Sequence, residues 1–290
     1  MLCSALLALI PQAPVDLSLT PAEQCLAPGL SVDVDLVLSN VGGPQDVGVV
    51  EVLLNWDPAE LTLDSVTPIG NWFGAGFLND PDDINVDIAD GEALYTLLGN
   101  PVTPQVVDGD FTTAVFRFTA LTQGEVSLAA SAGQFAQSQV LGTSPGQDIT
   151  GALGGPVSVV TSSVVALEVM RLGTPPNPAA LLPGVTTSPI VGQVWDPVVD
   201  HTTFLPDGEL DFLALTLGPA NIPFPEVGTV LCQLPVQIPL LSTVAGVPFS
   251  LPLPSNCNLL GVTVCTQAFS LNQFGDIALT NALDITFGTL

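Results

Sequence analysis

Apolar and polar residues alternate along the first half of the chain. In residues 31–38, with the sequence SVDVDLVL, every second residue as far as Leu36 is apolar. A period of two puts successive side chains on opposite faces of a β-strand, so this pattern predicts a strand with one buried face. Turn-forming residues flank it, with Pro28 and Gly29 before it and the sequence NVGGP at residues 40–44 after it.

The same reasoning predicts many short strands and no long helix. The chain contains 27 glycines and 27 prolines, and residues of this kind interrupt helices. In the first half the predicted strands lie at residues 31–38, 47–56, 61–67, 84–88, 93–98, 114–121, 125–130 and 157–160. In the second half they lie at residues 190–195, 209–217, 229–232, 248–253, 261–267 and 276–286. The predicted fold class is all-β, with two β-sandwich domains.

Domain boundaries follow from length and composition. A chain of 290 residues fits two domains, because single hydrophobic cores stop growing near that size. Composition changes at residues 161–163, and the proline-rich sequence LGTPPNP follows at residues 172–178. We therefore predict a signal-like segment or N-terminal arm at residues 1–14, a first sandwich at residues 15–162 and a second at residues 163–290.

Three segments of the first half form an ordered series. They are the Pro-Gly turn with its Val-alternating strand at residues 28–38, the element WDPAEL at residues 56–61, and the strand with its glycine turn at residues 111–124. In order and spacing they resemble a cohesin domain over residues 15–161. The resemblance implies a cohesin-like jelly roll, and members of that family bind dockerin modules through one sheet face. It carries over no contact residues, because these vary within the family.

A second series lies near the C-terminus. Its members are LPLPSN at residues 251–256, LGVT at residues 260–263 and LTNAL at residues 279–283. They resemble a C-terminal β-domain of secreted bacterial proteins whose role is unknown. This resemblance implies no activity.

The charge balance narrows the range of partners. The chain has 28 acidic residues, no lysine and two arginines, Arg117 and Arg171, for a net charge of −26. Nucleic acids and anionic membrane surfaces are bound through cationic side chains, so neither is expected as a partner. Two interpretations stay open. The acidity is either a solubility adaptation to salty or calcium-rich surroundings, or it serves divalent cations or a basic partner.

The N-terminal residues indicate export. Residues 1–13 (MLCSALLALIPQA) resemble the apolar part of a secretory signal, although no basic residue precedes the apolar run. No later segment has 18 uninterrupted apolar residues, so no membrane span is predicted. We therefore expect a secreted protein, extracellular or at the cell surface.

The cysteines agree with an oxidising compartment. Removal of Cys3 with a signal leaves four cysteines, an even number that suits disulfides. The preferred bridge is Cys232–Cys257, with Cys25 and Cys265 unassigned. Zinc is not expected, because the sequence has no CxxC pair.

The densest group of acidic residues lies between residues 80 and 92. Calcium prefers several oxygen ligands from one short segment, so a calcium site is one interpretation. Its candidate ligands are Asp80, Asp82, Asp83, Asn85 and Asp87. Alternation with Ile84, Val86 and Ile88 supports the other interpretation, the solvated face of a strand. No cofactor is required by the sequence, and calcium is the one that it suggests.

Catalytic motifs are weak. The sequence GTSPG at residues 142–146 matches the G-x-S-x-G nucleophile pattern, but Pro145 has no backbone N–H to donate to an oxyanion. His201 is the single histidine, so any Ser-His or Cys-His mechanism has to use it. A histidine hydrogen-bonded to Asp or Thr at the end of a strand is the simpler interpretation. We therefore expect no enzymatic activity.

Two functions from different classes remain. The first is a structural or adhesive extracellular protein that self-assembles or attaches to a surface through sheet faces and edges. Residues 227–275, which contain no charged residue, support it, since uncharged apolar surfaces mark interfaces. The alternative is a cohesin-type binding module that recognises a dockerin-like partner or a carbohydrate.

Overall fold

The all-β prediction is confirmed. The computed structural model describes residues 13–234 and 241–289, and these fold as β-strands joined by turns, with short 3-10 turns at Ile84–Val86 and Cys257–Leu259. Nowhere in these residues is there a helix long and apolar enough to cross a membrane. The chain divides between Thr161 and Ser162 into two compact units, and residues 25–27 group with the second.

The strands of the first half are joined mainly in one large sheet system. Their bounds are β1 (Val15–Thr20), β2 (Glu23–Leu26), β3 (Ser31–Trp56), β4 (Leu61–Pro68), β5 (Trp72–Phe77), β6 (Glu92–Gly99), β7 (Gln105–Ala120), β8 (Gly124–Ala129), β9 (Ser131–Ala132), β10 (Ala136–Gln137), β11 (Gln139–Gly142), β12 (Thr150–Leu153) and β13 (Val157–Thr161).

Strand β3 is 26 residues long and serves two layers. Before the bend it pairs with β1 and β7, and from Gln45 onward it pairs with the start of β7 and with β6, β8 and β11. The register of the β3–β7 pair shifts between Asn40 and Gln45. The Asn40 side chain donates to the carbonyl of Gly43 and accepts from the N–H of Gly42 at 2.8 Å. Gly43 has φ +97°, which only glycine adopts freely, so the sequence NVGGP forms a bend rather than the predicted end of a strand.

Aromatic side chains from the two layers meet in the core of the first unit. The ring of Tyr95 on β6 meets that of Phe116 on β7 edge to face at 5.3 Å, and Trp56 on β3 meets Phe118 on β7 at 5.5 Å. Phe116 and Phe118 are fully buried. Alternation along β7 turns both rings inward, and edge-to-face contacts add to the energy of burying them.

The second half is built around a sheet with the strand order β14-β24-β23-β18-β21. The strand bounds are β14 (Leu167–Arg171), β15 (Leu181–Leu182), β16 (Val194–Trp195), β17 (Val198–Val199), β18 (Gly208–Thr216), β19 (Pro219–Phe224), β20 (Gly228–Cys232), β21 (Leu241–Val244), β22 (Leu251–Pro252), β23 (Thr263–Asn272) and β24 (Ile277–Thr286). The core lies on one face of this sheet, where Trp195 packs with Leu213, Leu283 and Ile285.

Both units are therefore β-sheets packed around apolar cores. The strands predicted at residues 209–217, 229–232 and 276–286 correspond closely to β18, β20 and β24, whereas the one predicted at residues 261–267 covers only the first half of β23. Residues 190–195 and 248–253 form only the two-residue strands β16 and β22, which pair with each other. The predicted strand at residues 84–88 is wrong, because a 3-10 turn occupies Ile84–Val86.

Removal of the Phe116 ring is expected to destabilise the first unit by about 3–5 kcal/mol, because the cavity left among Tyr95 and its neighbours cannot collapse fully. Urea unfolding followed by tryptophan fluorescence measures the change in the free energy of unfolding for Phe116→Ala. The matched control is Phe73→Ala on the exposed part of β5, for which we expect a change below about 0.5 kcal/mol. Equal effects of the two variants would contradict the assignment of Phe116 to the core.

Candidate binding surface of the first unit

The register of β3, β6 and β5 defines two faces of one layer. Glu51 on β3 pairs with Thr96 on β6, which pairs with Gly76 on β5. Directly paired residues of antiparallel strands project on the same side, so these three lie on one face. Val52 and Tyr95 form the adjacent pair and project on the opposite side, into the core. We call the side that carries Glu51 the outer face.

Two short segments cover one end of the outer face. Leu53 and Leu94 lie there as a cross-strand pair, yet both are buried. They form an apolar cluster with Ala136 of β10, and Ile84 of the 3-10 turn packs against this cluster. The acid-rich segment is therefore held on the sheet through Ile84, which explains why it does not form a solvent-facing strand.

Asp80 shapes the acid-rich loop. Its Oδ1 accepts hydrogen bonds from the backbone N–H of Asp82 at 3.0 Å and of Ile84 at 3.1 Å, and its Oδ2 accepts from the N–H of Asn85 at 3.0 Å. Aspartate side chains compete in this way with the ladder of a strand for backbone donors. This competition is the physical reason why the alternation of residues 84–88 produced no strand.

Asn85 fastens the loop to β6. Its Nδ2 donates to the carbonyls of Leu78 at 2.6 Å and Leu94 at 2.8 Å, and its Oδ1 accepts from the N–H of Leu94 at 2.9 Å. Both ends of the amide are thus used within the protein. Asn85 was predicted to offer its side-chain oxygen to calcium. In the structure its amide instead makes the hydrogen bonds to the backbone of β6 that a neighbouring strand would make.

Asp82 joins the loop to the turn between β9 and β10. Its carboxylate accepts hydrogen bonds from the backbone N–H groups of Gln134 at 3.0 Å, Phe135 at 2.5 Å and Ala136 at 2.7 Å. These three donors hold the pKa of Asp82 below its ordinary value. A Cβ at Gly133, where φ is +62°, would lie 2.6 Å from Cγ of Asp82, so this approach requires glycine.

A recess of about 160 Å³ opens between the loop and this turn. Its lining includes the acidic residues Glu51 and Asp80 and the polar residue Thr96. Leu78 and Phe135 line it as well, and both are exposed. The outer face thus presents apolar side chains beside an acidic, polar recess.

The predicted calcium ligands lie close in sequence but serve different roles. Asp83 adopts a left-handed conformation with φ 60° and ψ 22°, and Asp87 accepts from the N–H of Ala89 at 3.0 Å. In the described part of the chain, no three acidic side chains of this loop bring their oxygens together closely enough to share one ion. Calcium binding at Asp80, Asp82, Asp83, Asn85 and Asp87 stays a prediction.

The second unit contains a buried polar network around the single histidine. His201 Nε2 lies 2.9 Å from Oδ1 of Asp211, and Nδ1 lies 2.8 Å from the carbonyl of Leu205. Ser270 donates to Oδ1 of Asp211 at 2.5 Å, and the N–H of Gly246 donates to Oδ2 at 2.9 Å. Asp211 is fully buried, so these hydrogen bonds take the place of those that water would donate to its carboxylate.

This network does not have the hydrogen-bond connectivity of a Ser-His-Asp triad. The hydroxyl of Ser270 is directed to Asp211, so the imidazole of His201 is not its proton acceptor. Both ring nitrogens of His201 face acceptors, which only the doubly protonated ring can satisfy. Burial lowers the pKa of His201, but hydrogen bonds to Leu205 and Asp211 and the charge of Asp211 outweigh it and raise the pKa above 6.5.

Both arginines are held in two-point ion pairs within the protein. Arg117 donates to the two oxygens of Asp33 at 2.7 and 2.8 Å. Arg171 donates to those of Asp284 at 2.8 and 2.9 Å, and also to the carbonyls of Ala220 and Leu231. The sequence has no lysine, so both of its Lys and Arg positive charges belong to these arginines, and each forms an ion pair with a carboxylate of the same chain.

The predicted disulfide Cys232–Cys257 is wrong. Cys232 on β20 bonds to Cys265 on β23, and Cys257 in the second 3-10 turn bonds to Cys25, each with Cα atoms 5.6 Å apart. Cys232 and Cys265 are both buried beside Leu231 and Ala282. Sequence spacing cannot rank such pairings, because strand order decides which cysteines meet. Cys3 lies outside the described residues.

No protein-family model and no curated protein matches this sequence. Solved structures similar to it include cohesin domains. The sixth cohesin of scaffoldin B from Acetivibrio cellulolyticus, solved with a mutant Cel5 dockerin, is 17% identical, covers 52% of this chain and 100% of its own, and has a TM-score of 0.39. The seventh ScaB type I cohesin from Pseudobacteroides cellulosolvens is 12% identical and covers 55% of this chain and 98% of its own, with a TM-score of 0.41.

A third similar structure is the non-cellulosomal cohesin from the archaeon Archaeoglobus fulgidus, 13% identical, covering 52% of this chain and 94% of its own, with a TM-score of 0.36. The cohesin resemblance predicted from the sequence thus has counterparts among the solved structures, over about half of the chain. The C-terminal half has no assigned relative.

The titration of His201 is expected to show a midpoint above 6.5, and Asp211→Asn is expected to lower it. The folded pKa exceeds the unfolded one, so the stabilisation is complete below the unfolded pKa and is lost as pH rises through the folded pKa. Since the sequence has one histidine, ¹H NMR of the imidazole measures the midpoint without assignment, and urea unfolding across this interval measures the stability.

The control for this titration is His201→Gln, whose free energy of unfolding should not decline over the same pH interval. A midpoint at or below 6.5 in the wild-type protein would show that burial, not the contact with Asp211, dominates the pKa of His201.

Proposed function

We propose that this chain is a non-enzymatic, extracellular binding module whose first unit receives a protein partner on the outer face. The observation that carries the proposal is the recess where exposed Leu78 and Phe135 stand beside polar Glu51 and Thr96. Exposed apolar side chains that are rimmed by polar groups are characteristic of protein-binding surfaces. Asp82 and Asn85 hold the two covering segments in place, so the surface is formed before a partner arrives.

The chemistry of this face favours a basic partner. Glu51 and Asp80 line the recess, and Arg117, the arginine of this unit, is engaged by Asp33. A complementary surface has apolar side chains for Leu78 and Phe135 and Lys or Arg for the carboxylates. The similar cohesin from Acetivibrio cellulolyticus was solved with a dockerin, and a dockerin-type module is the partner class that we propose here.

A carbohydrate ligand is less well supported by the geometry. Sugars stack on exposed aromatic rings, and two of the three tryptophans, Trp56 and Trp195, are buried. Phe135 is the aromatic side chain that lines the recess. Binding of carbohydrate stays an alternative prediction.

The two disulfides support an extracellular location. Cys25–Cys257 and Cys232–Cys265 account for the four cysteines that remain if Cys3 is removed with a signal. Disulfides of this kind form and persist in oxidising compartments. Secretion is therefore part of the proposal.

Substitution of Leu78 is expected to weaken binding to a dockerin module. Titration calorimetry of the whole chain against a panel of purified dockerin modules, with and without millimolar calcium, measures the affinity. We expect at least one module to bind and Leu78→Ser to weaken it about tenfold, the effect of losing about 1.4 kcal/mol of apolar contact.

The matched control is Leu30→Ser, because Leu30 is 43% exposed and Leu78 is 47% exposed. Leu30 does not line the recess, since it directly precedes the part of β3 that pairs with β1 and β7. Equal loss in both variants would place the contact elsewhere. Binding by none of the modules would overturn the dockerin-type partner. Heat from calcium alone that disappears in Asp80→Asn would establish calcium at the acid-rich loop.

A second candidate function, self-assembly into a structural or adhesive array, is favoured by β14. This strand lies at one end of the five-stranded sheet, and its side chains Leu167 and Val169 are exposed. Exposed apolar edge strands are templates for pairing with another chain, and lysine is a common guard against this. The sequence offers no lysine to protect this edge.

Self-assembly predicts oligomers that depend on the β14 edge. Light scattering and negative-stain imaging of the wild-type chain should then show assemblies that Val169→Lys dissolves and that Phe73→Lys, at an exposed site of the first unit, leaves intact. The lysine guards the edge, whereas the control changes the net charge equally. Monomers at high concentration, with and without calcium, would rule out this candidate.

A further inference from the structure

The outer face of the first unit continues beyond its two covering segments, and this part of it is polar. Asn55 on β3 pairs with Ser127 on β8, and Glu125 on β8 pairs with Ser158 on β13. Asn55 follows Leu53 by two residues, so alternation places it on the outer face, and its pairing places Ser127 there as well. Glu125 lies two residues before Ser127 and shares that side with Ser158.

A recess of about 700 Å³ opens over these polar side chains, and its volume lies within the range of ligand sites. One wall is the turn that follows β3, at residues 57–60, and another is the turn that precedes β8, at residues 123–124. It has no lining residue in common with the recess beside Leu78. We call it the polar recess (floor Asn55, Glu125, Ser127 and Ser158; wall Asp57 and Glu60).

Local structure positions the two carboxylates of the wall. Asp57 begins a turn, in which its Oδ1 accepts from the N–H of Ala59 at 2.8 Å and its carbonyl accepts from the N–H of Glu60 at 3.0 Å. The Glu60 side chain lies against β8, since a Cβ at Gly124 would be 2.8 Å from its Oε2. Glycine at this position therefore admits the Glu60 carboxylate beside the strand that carries Glu125.

The floor contains acceptors that the protein does not saturate. The hydroxyl of Ser158 donates to Oε1 of Glu125 at 3.3 Å, and this bond uses one of about four acceptor sites of a carboxylate. Asn55 is partly exposed, and its buried Oδ1 has no hydrogen-bond partner in the described part of the chain. Buried acceptors nearly always have a donor, and rotation of this amide presents its oxygen to a donor in the recess. The floor thus favours a ligand that donates hydrogen bonds.

The charge of the polar recess selects the kind of donor. Asp57, Glu60 and Glu125 line it, and none of the described residues that line it is Lys, Arg or His. Carboxylates in a concave site concentrate negative potential there, and cationic donors both neutralise it and make the stronger hydrogen bonds. A second copy of this chain is a poor source of such donors, because it has no lysine and both of its arginines form ion pairs. Charge complementarity therefore favours a different protein as the occupant.

We propose that the polar recess binds a basic segment of another protein, with the side chains of two Lys or Arg residues among its carboxylates. From β3 to β13 the floor crosses two strand spacings, which makes it about 10 Å wide. In an extended segment, side chains at positions i and i+2 project on one side about 7 Å apart, so two cationic side chains fit this floor. The site goes beyond the proposed function, and since the two recesses have different lining residues, either proposal can fail alone.

The test uses the full chain and three fluorescent glycine–serine peptides. They carry two lysines at positions i and i+2, or two glutamines or two glutamates at the same positions. Fluorescence anisotropy at about 150 mM salt, where charges more than about 8 Å apart are largely screened, measures the affinity. We expect the lysine peptide to bind, the glutamine peptide to bind at least about tenfold more weakly, and the glutamate peptide not to bind.

Carboxylate variants locate the binding. Glu60→Gln combined with Glu125→Gln is expected to weaken the lysine peptide at least about tenfold, because two charge-assisted contacts become neutral ones. The matched control is Asp108→Asn combined with Asp110→Asn, which removes the same charge from two exposed positions of β7 outside the recess. We expect the control to change the affinity less than about twofold, since distant charges are screened.

A blocking variant tests the same site by a different route. Ser127→Lys places an ammonium group of the protein's own in the floor and is expected to abolish binding of the lysine peptide. Phe73→Lys adds the same charge at an exposed position of β5 and should leave binding intact. Urea unfolding followed by tryptophan fluorescence identifies the variants that remain folded.

Three results would overturn the proposal. Equal loss of affinity in the Glu60/Glu125 variant and in the Asp108/Asp110 control would show attraction by net charge alone. Binding of a neutral oligosaccharide that Glu125→Gln abolishes, without binding of the lysine peptide, would make carbohydrate the ligand. Self-association of the wild-type chain in sedimentation that Ser127→Lys abolishes would make a second copy the occupant.

Discussion

The amide of Asn40 closes the bend within β3, and the two layers of the first unit are joined through this bend. It donates to the carbonyl of Gly43 and accepts from the N–H of Gly42, so it satisfies backbone groups of the bend that have no strand partner. One strand then contributes to two layers, with Phe116 and Phe118 packed between them. The direction in which β3 leaves the bend fixes the pairing with β6, and with it the side of the sheet on which Glu51 and Thr96 lie.

Alternation predicts strands well where side chains only have to choose between core and solvent, as in residues 31–38 and in β23 and β24. It failed at residues 84–88, because the carboxylate of Asp80 takes three backbone donors and Ile84 packs on the sheet. Strand β14 was missed since the prolines after it suggested a linker. The pairing Cys232–Cys265 depends on the order of strands in space, which local patterns do not contain.

Many of the acidic side chains that seemed free in the sequence have backbone partners. Asp80, Asp82 and Asp87 accept from N–H groups of loops, and Asp211 accepts from Ser270 and Gly246 inside the second unit. Such bonds satisfy the carboxylate oxygens within the protein. Part of the acidity therefore serves to hold turns and loops in place.

The remaining acidity still restricts recognition, because the protein cannot neutralise it from within. Each arginine binds the two oxygens of a single carboxylate of the same chain. The recess beside Leu78 is lined by the carboxylate side chains of Glu51 and Asp80. A partner that covers the recess removes water from these carboxylates, and cationic side chains compensate that loss best. The partner that we propose for this recess therefore carries positive charge, which this chain, having no lysine, supplies with two arginines alone.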